Sequence, residues 1–283
     1  MTVFAGPPPG RGQFVRLPPF GGSSSAGIHG GVLGRDAAEV SGVVANRVFG
    51  TLETEPKHKG LTLNSDTPYA PLPMDLRMGP MVIELPPGPL ICIAMDVNQR
   101  WVLDMGLPGP DAGAGGRHLL LPPGYQGEIP DGYNVGRSTS YRVLGGIRAL
   151  PVEGDVKGAV ARLKTVKVHP LNPTPGWAEP TWLDLTPDPQ DLTADRWEDN
   201  IEYWEALHEV IETEPPLDGY RLAYGELAAL GIVKGQPFAP DERMRAILER
   251  AAVIGNAQMR VESFTDRRPD RRCGRAGTGS GPP

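Results

Sequence analysis

The segment from Asn64 to Tyr69 is the first candidate for a functional site. Within Asn64-Ser65-Asp66-Thr67-Pro68-Tyr69 an amide, a carboxylate, two hydroxyls and a phenol follow one another. Asn64, Asp66, Thr67 and Tyr69 are therefore the predicted ligand-binding residues, because binding side chains concentrate on loops that a rigid sheet supports. The alternative, which these residue types favour, is an Asx-type turn whose side chains bond to the nearby backbone before Pro68.

Asp66, His118 and Arg137 are the weak candidates for catalysis. His118 opens a predicted strand and could approach the Asp66 loop in space, and an arginine can bind a carboxylate through two parallel hydrogen bonds. No complete motif supports this chemistry. The Gly-x-Ser-x-Gly elbow of many hydrolases is absent from the sequence. A metalloprotease helix would need a second histidine four residues after His208, where the chain has Glu212, so we interpret His208 as a packed, hydrogen-bonded residue.

Backbone and thiol groups offer no cofactor site. The Gly113–Gly116 segment could bind an anion through its N–H groups, but it lacks the Lys-Ser/Thr of a phosphate loop. We predict that it forms a glycine-rich hairpin turn. Cys92 and Cys273 lie far apart, and neither has a neighbour at metal or redox spacing. The sequence thus predicts no metal site, no disulfide and no cofactor.

Composition restricts the classes of partner. The chain has 283 residues with 28 basic and 34 acidic side chains, which gives a net charge of −6 and leaves no basic stripe for nucleic acid. It has no apolar run long enough to span a membrane. The first residues lack the apolar core of a signal peptide, so the cytoplasm is the expected location. An unknown small molecule, or a second copy of the chain, is the expected partner.

The hydrophobic periodicity of the sequence changes along the chain and predicts its domain organisation. Alternating apolar positions between Gly/Pro turns indicate strands packed on a core, and a later period of 3.6 residues indicates helices. We predict a mainly β protein with a C-terminal α segment, in the form of a jelly-roll-like β-sandwich followed by a helical region. The predicted segments are a disordered Gly/Pro-rich lead-in (1–34), a short helix and connection (35–60), the β-sandwich (61–170), a Pro/Trp linker (171–192), a helical segment (193–264) and a disordered tail (265–283).

Individual elements are predicted from the same periodicities. The expected strands are 81–85, 91–97, 101–105, 118–121, 133–137, 141–148 and 165–169, with a short helix at about 155–163. An apolar period over 36–49, including Val44 and Val48, predicts the early helix. Late in the chain, Asp195 is the expected cap of a helix that ends at Pro215-Pro216. Further helices are expected over about 218–230 and from Pro240 onward.

Several motifs, in a particular order and spacing, resemble one bacterial family. These motifs are Leu63-Asn64-Ser65-Asp66-Thr67-Pro68-Tyr69, Gly79-Pro80-Met81-Val82-Ile83-Glu84-Leu85-Pro86, the glycine-rich segment 109–116, Leu119-Leu120-Leu121-Pro122-Pro123-Gly124, Arg137-Ser138-Thr139 with Arg148, and the segment 230–238. Over roughly 60–268 the chain resembles the family called domain of unknown function 1254. The resemblance implies a jelly-roll fold, intervening helices and a following partner, domain of unknown function 1214. It implies no catalytic residue.

The end of the chain departs from the family's pattern. The resemblance implies a partner domain that we do not recognise in the sequence, and a tail without periodicity begins near Arg268. We therefore expect a truncation or a shifted reading frame near that residue. For function, the sequence favours a ligand-binding or assembly module without a catalytic motif. The alternative is an enzyme of unknown chemistry, with a site around Asn64, Asp66, Tyr69, His118 and Arg137.

Overall fold

The computed structural model describes residues 2–4, 14–16, 42–60, 64–98, 100–189, 191–192 and 199–265. Its strands are β1 (Thr2–Phe4), β2 (Phe14–Arg16), β3 (Val48–Thr51), β4 (Lys59–Gly60), β5 (Tyr69–Asp75), β6 (Met81–Leu85), β7 (Leu90–Asp96), β8 (Trp101–Gly106), β9 (Gly116–Leu121), β10 (Asn134–Arg137), β11 (Arg142–Ala149), β12 (Lys167–Pro170), β13 (Thr181–Asp184) and β14 (Asp191–Leu192). Its α-helices are α1 (Val156–Leu163), α2 (Glu202–Thr213), α3 (Arg221–Ala228) and α4 (Glu242–Thr265).

Two four-stranded sheets form the centre of the fold. The first has the order β5-β11-β7-β8 with antiparallel neighbours, and the second has the order β10-β9-β6-β12 with one parallel pair, β10 and β9. Three two-stranded pairs, β1-β2, β13-β3 and β14-β4, complete the described sheets. The prediction of a mainly β fold is confirmed, and the jelly-roll topology stays a prediction.

One helix belongs to the β region itself. α1 connects β11 of the first sheet to β12 of the second, and the Asp155 side chain caps it by accepting a hydrogen bond from the Gly158 N–H at 2.9 Å. The predicted helix near 155–163 is therefore confirmed. Its position also corrects the expectation that helices follow the β region, because helices are not confined to the C-terminal part of the chain.

Side chains from both four-stranded sheets and from α1 share one buried apolar cluster. β7 shows how the strands contribute to it: Leu90, Cys92, Ala94 and Asp96 are buried, whereas the alternate residues are half-buried. Burying one such leucine contributes about 2 kcal/mol by the transfer of its surface from water. The strand period of two therefore decides which residues of β7 enter the core.

β5 was missed in the sequence because prolines interrupt it. Pro71 and Pro73 lie in this strand, which is at the edge of the first sheet and pairs with β11. The Pro73 carbonyl accepts a hydrogen bond from the Asn46 N–H at 3.1 Å, so this carbonyl points away from β11. An edge strand tolerates proline where no ladder hydrogen bond needs the missing N–H.

The predicted helix over 36–49 is wrong in its described part. Val44 and Val48 join in an antiparallel bridge, and β3 begins at Val48. Asn46 has a positive φ of 61°, which a helix interior would not allow. β3 then pairs in parallel with β13, a strand inside the predicted linker, and the Phe49 and Trp182 rings meet edge to face at 5.7 Å. Tertiary pairing overrides the local period here.

The helical region has an apolar cluster of its own, built mainly by α2, α3 and α4. Trp204 is fully buried, and its indole N–H donates to the Leu248 carbonyl at 2.9 Å, which ties α2 to α4. α2 ends directly before Glu214 and Pro215-Pro216, as predicted. The predicted cap at Asp195 and the tail from Arg268 lie outside the described residues. No helix of the described chain is long and apolar enough to cross a membrane.

Candidate functional site

The Asn64–Tyr69 loop folds on itself as an Asx-type turn. The Asn64 Oδ1 atom accepts hydrogen bonds from the Asp66 N–H at 3.1 Å and from the Thr67 hydroxyl at 3.3 Å. The Tyr69 hydroxyl oxygen accepts one from the Asn64 N–H at 3.4 Å. Three of the four predicted ligand-binding residues are therefore engaged in local bonds, and the Asp66 side chain is exposed.

Arg148 completes this loop and was outside the predicted set. Its Nε and Nη2 atoms donate to the Thr67 hydroxyl oxygen at 3.1 and 3.0 Å, and its guanidinium lies 5.2 Å from the centre of the Tyr69 ring. Arg148 is the register partner of Tyr69 in the β11-β5 pair, which explains how residues 79 positions apart meet. The arginine anchors the loop to the sheet and covers one face of the tyrosine.

His118 is fully buried in β9. One ring nitrogen, Nδ1, lies 3.3 Å from the Ile83 carbonyl oxygen, and Nε2 lies 3.1 Å from the Asp111 carboxylate. Asp111 Oδ1 also accepts the Gly106 N–H at 2.8 Å, while its Oδ2 atom is buried without a hydrogen-bond partner. This pair links the segment between β8 and β9 to the second sheet, in a place without access to solvent.

The segment around Gly113–Gly116 is not the hairpin turn that we predicted. It connects β8, in the first sheet, to β9, in the second. Gly115 has a φ of +77°, and a Cβ atom there would lie 2.7 Å from the Leu85 carbonyl oxygen. Glycine is needed because the chain passes this closely over another strand.

The three catalytic candidates occupy different environments. Asp66 and Arg137 are exposed, while His118 is buried, and no hydrogen bond or ion pair joins any two of them in the described chain. His208 is held as we interpreted it: Nε2 lies 2.8 Å from the Gln236 carbonyl oxygen, and the ring stacks on Phe238. The catalytic role of Asp66, His118 and Arg137 stays a prediction, and these contacts do not support it.

The described residues offer no thiolate or metal centre. Burial raises the pKa of the Cys92 thiol to about 12, with a further contribution from the negative charge of Asp111. A thiol with this pKa is protonated at neutral pH and is neither a nucleophile nor a ready metal ligand. Within the described ranges, no three His, Cys, Asp or Glu side chains are grouped so that they could hold a metal ion.

A cleft with a volume of about 270 Å³ opens where the helical region meets the loop after β7. Most of its lining is apolar and comes from α2, α3 and the segments that follow each of them. The lining residues are Asn98, Val210, Ile211, Glu214, Pro215, Pro216, Tyr224, Ala228, Ile232, Val233 and Lys234. We call this feature the junction cleft.

A buried ion pair fixes the geometry of the junction cleft. Glu214 is 5% exposed, and its carboxylate accepts hydrogen bonds from Arg142 Nε at 2.8 Å, from the Tyr141 N–H at 2.6 Å and from the Arg142 N–H at 3.3 Å. Arg142 also donates to the Thr213 hydroxyl at 3.1 Å. The end of α2 is thereby attached to the start of β11.

Lys234 closes the other side of the same helix end. Its ammonium group donates to the carbonyl oxygens of Ile211 at 3.3 Å, Glu212 and Glu214 at 3.1 Å. These carbonyls lie at the C-terminus of α2, where a cation is favourable because the helix leaves its last carbonyls unpaired. The lysine therefore stabilises the cleft wall and has its three donors in use.

The junction cleft is not recognisable in the sequence because its lining residues are far apart in the chain. The apolar residues Val210 and Ile211 resemble an ordinary helix stripe, and Ile232 and Val233 lie in what looks like a connection. The one available signal is Glu214, a carboxylate placed between the end of an amphipathic helix and Pro215-Pro216. Its partner Arg142 lies 72 positions away, beyond any local pattern.

The comparisons with known proteins agree with the β-rich architecture. The family model described as protein of unknown function (DUF1254) matches residues 48–170, a range that contains both four-stranded sheets. The resemblance seen in the sequence is thereby confirmed, since residues 48–170 match the model of this family. The pairing with domain of unknown function 1214 stays a prediction. No curated protein matches the chain.

One solved structure shares the fold over most of the chain. The crystal structure of the VPA0106 protein from Vibrio parahaemolyticus superposes with a TM-score of 0.58 at 17% identity. The match covers 85% of this chain and 56% of the Vibrio chain, so the chain spans little more than half the length of that protein. At this identity the similarity concerns the fold alone.

Proposed function

We propose that the protein is a ligand-binding module that holds a small, largely apolar molecule in the junction cleft. The observation that supports this most is the cleft itself, an apolar-lined space of about 270 Å³ with a few polar groups at its edge. Binding pockets for small molecules share this pattern of apolar walls and few convergent polar atoms. The volume is just below the usual range of such pockets, which favours a small ligand.

The walls of the cleft are rigid enough to serve as a preformed site. The Glu214–Arg142 pair and the Lys234 cap each fix the end of α2, and Leu227 and Ile232 anchor the neighbouring wall in the helical core. A preformed site does not have to order its side chains when the ligand binds, so more of the apolar transfer energy appears as affinity. Each buried methylene of a ligand contributes about 0.8 kcal/mol.

The experiment is an NMR titration of the labelled full chain with 1-octanol, a neutral eight-carbon probe. We expect shifts of the amide signals of Val210, Ile232 and Val233. Ala228→Phe places a ring in the cleft without removing any buried group, and it should abolish these shifts. Ala229→Phe is the matched control, because Ala229 is the next residue and does not line the cleft. Equal behaviour of the two variants would disprove binding in the cleft.

The enzyme alternative has less support. It requires Asn64, Asp66, Tyr69, His118 and Arg137 to converge, and the Asn64 loop is bonded to its own backbone while His118 is enclosed in the core. We infer that the loop has a structural role, in which Arg148 holds it against β5.

An assembly role is the second candidate, and one surface favours it. Val253 and Ile254 are 52% and 42% exposed on α4, next to each other on a helix whose opposite side enters the helical core. A contiguous exposed apolar patch on a protein surface marks a site of contact with another protein. Light scattering of the wild type and of a Val253→Glu variant distinguishes the two functions, because only assembly predicts a change in mass.

A further inference from the structure

The turn between β7 and β8 is organised by a fully buried carboxylate. Asp96 is 0% exposed, and its Oδ1 atom accepts the Asn98 N–H at 2.9 Å and the Arg100 N–H at 2.8 Å. Its Oδ2 atom accepts a hydrogen bond from the Thr139 hydroxyl. Burying a charge is costly unless every acceptor is satisfied, and here several donors satisfy it. The result is a turn with a defined conformation.

This turn presents two side chains to the helical region. Asn98 lines the junction cleft, and the Arg100 guanidinium lies 5.4 Å from the centre of the Tyr220 ring. Tyr220 directly precedes α3, and Tyr224, one helical turn further on, lines the cleft. Arg100 therefore lies two residues after one lining residue, Asn98, and contacts a residue four positions before another, Tyr224.

In the described part of the chain, Arg100 is a cation near the cleft that holds no carboxylate. Glu214, the carboxylate in the lining, is bonded to Arg142, and the donors of Lys234 point to the carbonyls of α2. Arg100 has no carboxylate within ion-pair distance among the described residues, and its side-chain contact there is with the face of Tyr220. A guanidinium stacked in this way keeps the N–H groups at its edge free to bind an anion.

We propose that the ligand of the junction cleft is an amphiphile with a short apolar chain and a carboxylate, and that Arg100 binds the carboxylate. This inference rests on the proposed function, because it names the chemical class of the molecule in the same cleft. The apolar lining binds the chain, and Asn98 and Arg100 at the edge bind the polar end. Arginine pairs well with a carboxylate because its parallel N–H groups match the two oxygens.

The experiment compares octanoate with 1-octanol, which have the same chain length and differ in charge, on the full-length protein by isothermal titration and NMR. We expect octanoate to bind more tightly than 1-octanol. Arg100→Gln should weaken octanoate binding about fivefold, as for an exposed ion pair, and leave 1-octanol binding unchanged. Arg117→Gln is the matched control, because Arg117 is also exposed and stacks on a tyrosine, Tyr133, at 4.8 Å.

The outcomes separate the two proposals. If 1-octanol binds and Arg100→Gln leaves octanoate binding unchanged, the apolar cleft stands and the role of Arg100 is disproved. If neither probe shifts the signals of the cleft residues in the wild type, both proposals are disproved. A loss of octanoate affinity in Arg117→Gln equal to that in Arg100→Gln would also overturn the inference, because the effect would then follow the net charge.

Discussion

Glu214 accepts three of the hydrogen bonds that attach the helical region to the sheet, which makes Glu214→Gln an informative change. Glutamine has the same shape, but it carries no charge opposite Arg142. It also replaces one acceptor oxygen with an NH₂ group, which must then face either the Tyr141 N–H or the Arg142 donors. An unsatisfied buried N–H costs about 1–3 kcal/mol, and breaking a buried ion pair costs about 3–5 kcal/mol. Since Arg142 is 12% exposed and water can reach part of it, we expect a loss of about 3 kcal/mol.

The measurement is urea unfolding followed by circular dichroism and tryptophan fluorescence, with hydrogen exchange at the Tyr141 and Arg142 amides. We expect the midpoint to fall and these two amides to exchange faster. Glu209→Gln is the matched control, because Glu209 lies 3.6 Å from the same arginine with a side chain that is 31% exposed. A partly exposed pair of this kind contributes less than about 1 kcal/mol.

Two results would refute this reasoning. Equal destabilisation by Glu214→Gln and Glu209→Gln would mean that burial and the backbone bonds of Glu214 contribute nothing. A double-mutant cycle with Arg142→Gln is the second test, since residues in direct contact couple by about 0.5–3 kcal/mol. Additive losses in that cycle would show that the two side chains act independently.

Three other changes test the structural roles assigned above. Asp111→Asn should lower the free energy of unfolding by about 2 kcal/mol, as measured by urea unfolding. The buried Oδ1 atom accepts two hydrogen bonds, and an uncharged amide oxygen is a weaker acceptor than a carboxylate oxygen. Cys92 should resist iodoacetamide at pH 8 in a Cys273→Ser background and react once urea unfolds the chain, because its pKa of about 12 leaves almost no thiolate; labelling in the native state would contradict this. Asp155→Ala should lower the melting temperature through the loss of about 1 kcal/mol from the α1 cap, whereas Lys157→Ala should not.

Strands with regular alternation were predicted well from the sequence. β6, β7, β8 and β11 lie within two residues of their expected positions, because each one follows the period of two between Gly/Pro turns. β3, β5 and β13 were missed for physical reasons. β3 follows an apolar period typical of a helix, β5 contains two prolines, and β13 lies in a proline-rich segment. Only pairing with a neighbouring strand makes each of them a strand.

The candidate site was less accessible to sequence reasoning. Asn64 and Asp66 were singled out for their side-chain chemistry, and the turn that uses this chemistry was named as the alternative. His118 was singled out as a possible acid or base, and burial placed it in the core beside Asp111. Residue type shows what a group can do, but exposure and neighbours decide whether it does so, and both depend on the whole fold.

The sequence by itself determined the elements with strong local preferences: the alternating strands, the end of α2 at Pro215-Pro216, and α1 with its cap. It also determined the resemblance to the DUF1254 family, because the order and spacing of the motifs are visible without the structure. Only the tertiary structure decided that Arg142 and Glu214 meet across 72 positions, that Asp96 holds Arg100 beside Tyr220, and that Asn98 and Glu214 line one cleft. Periodicity arises from each residue's immediate neighbours, whereas a site forms from side chains that come together only when distant segments pack.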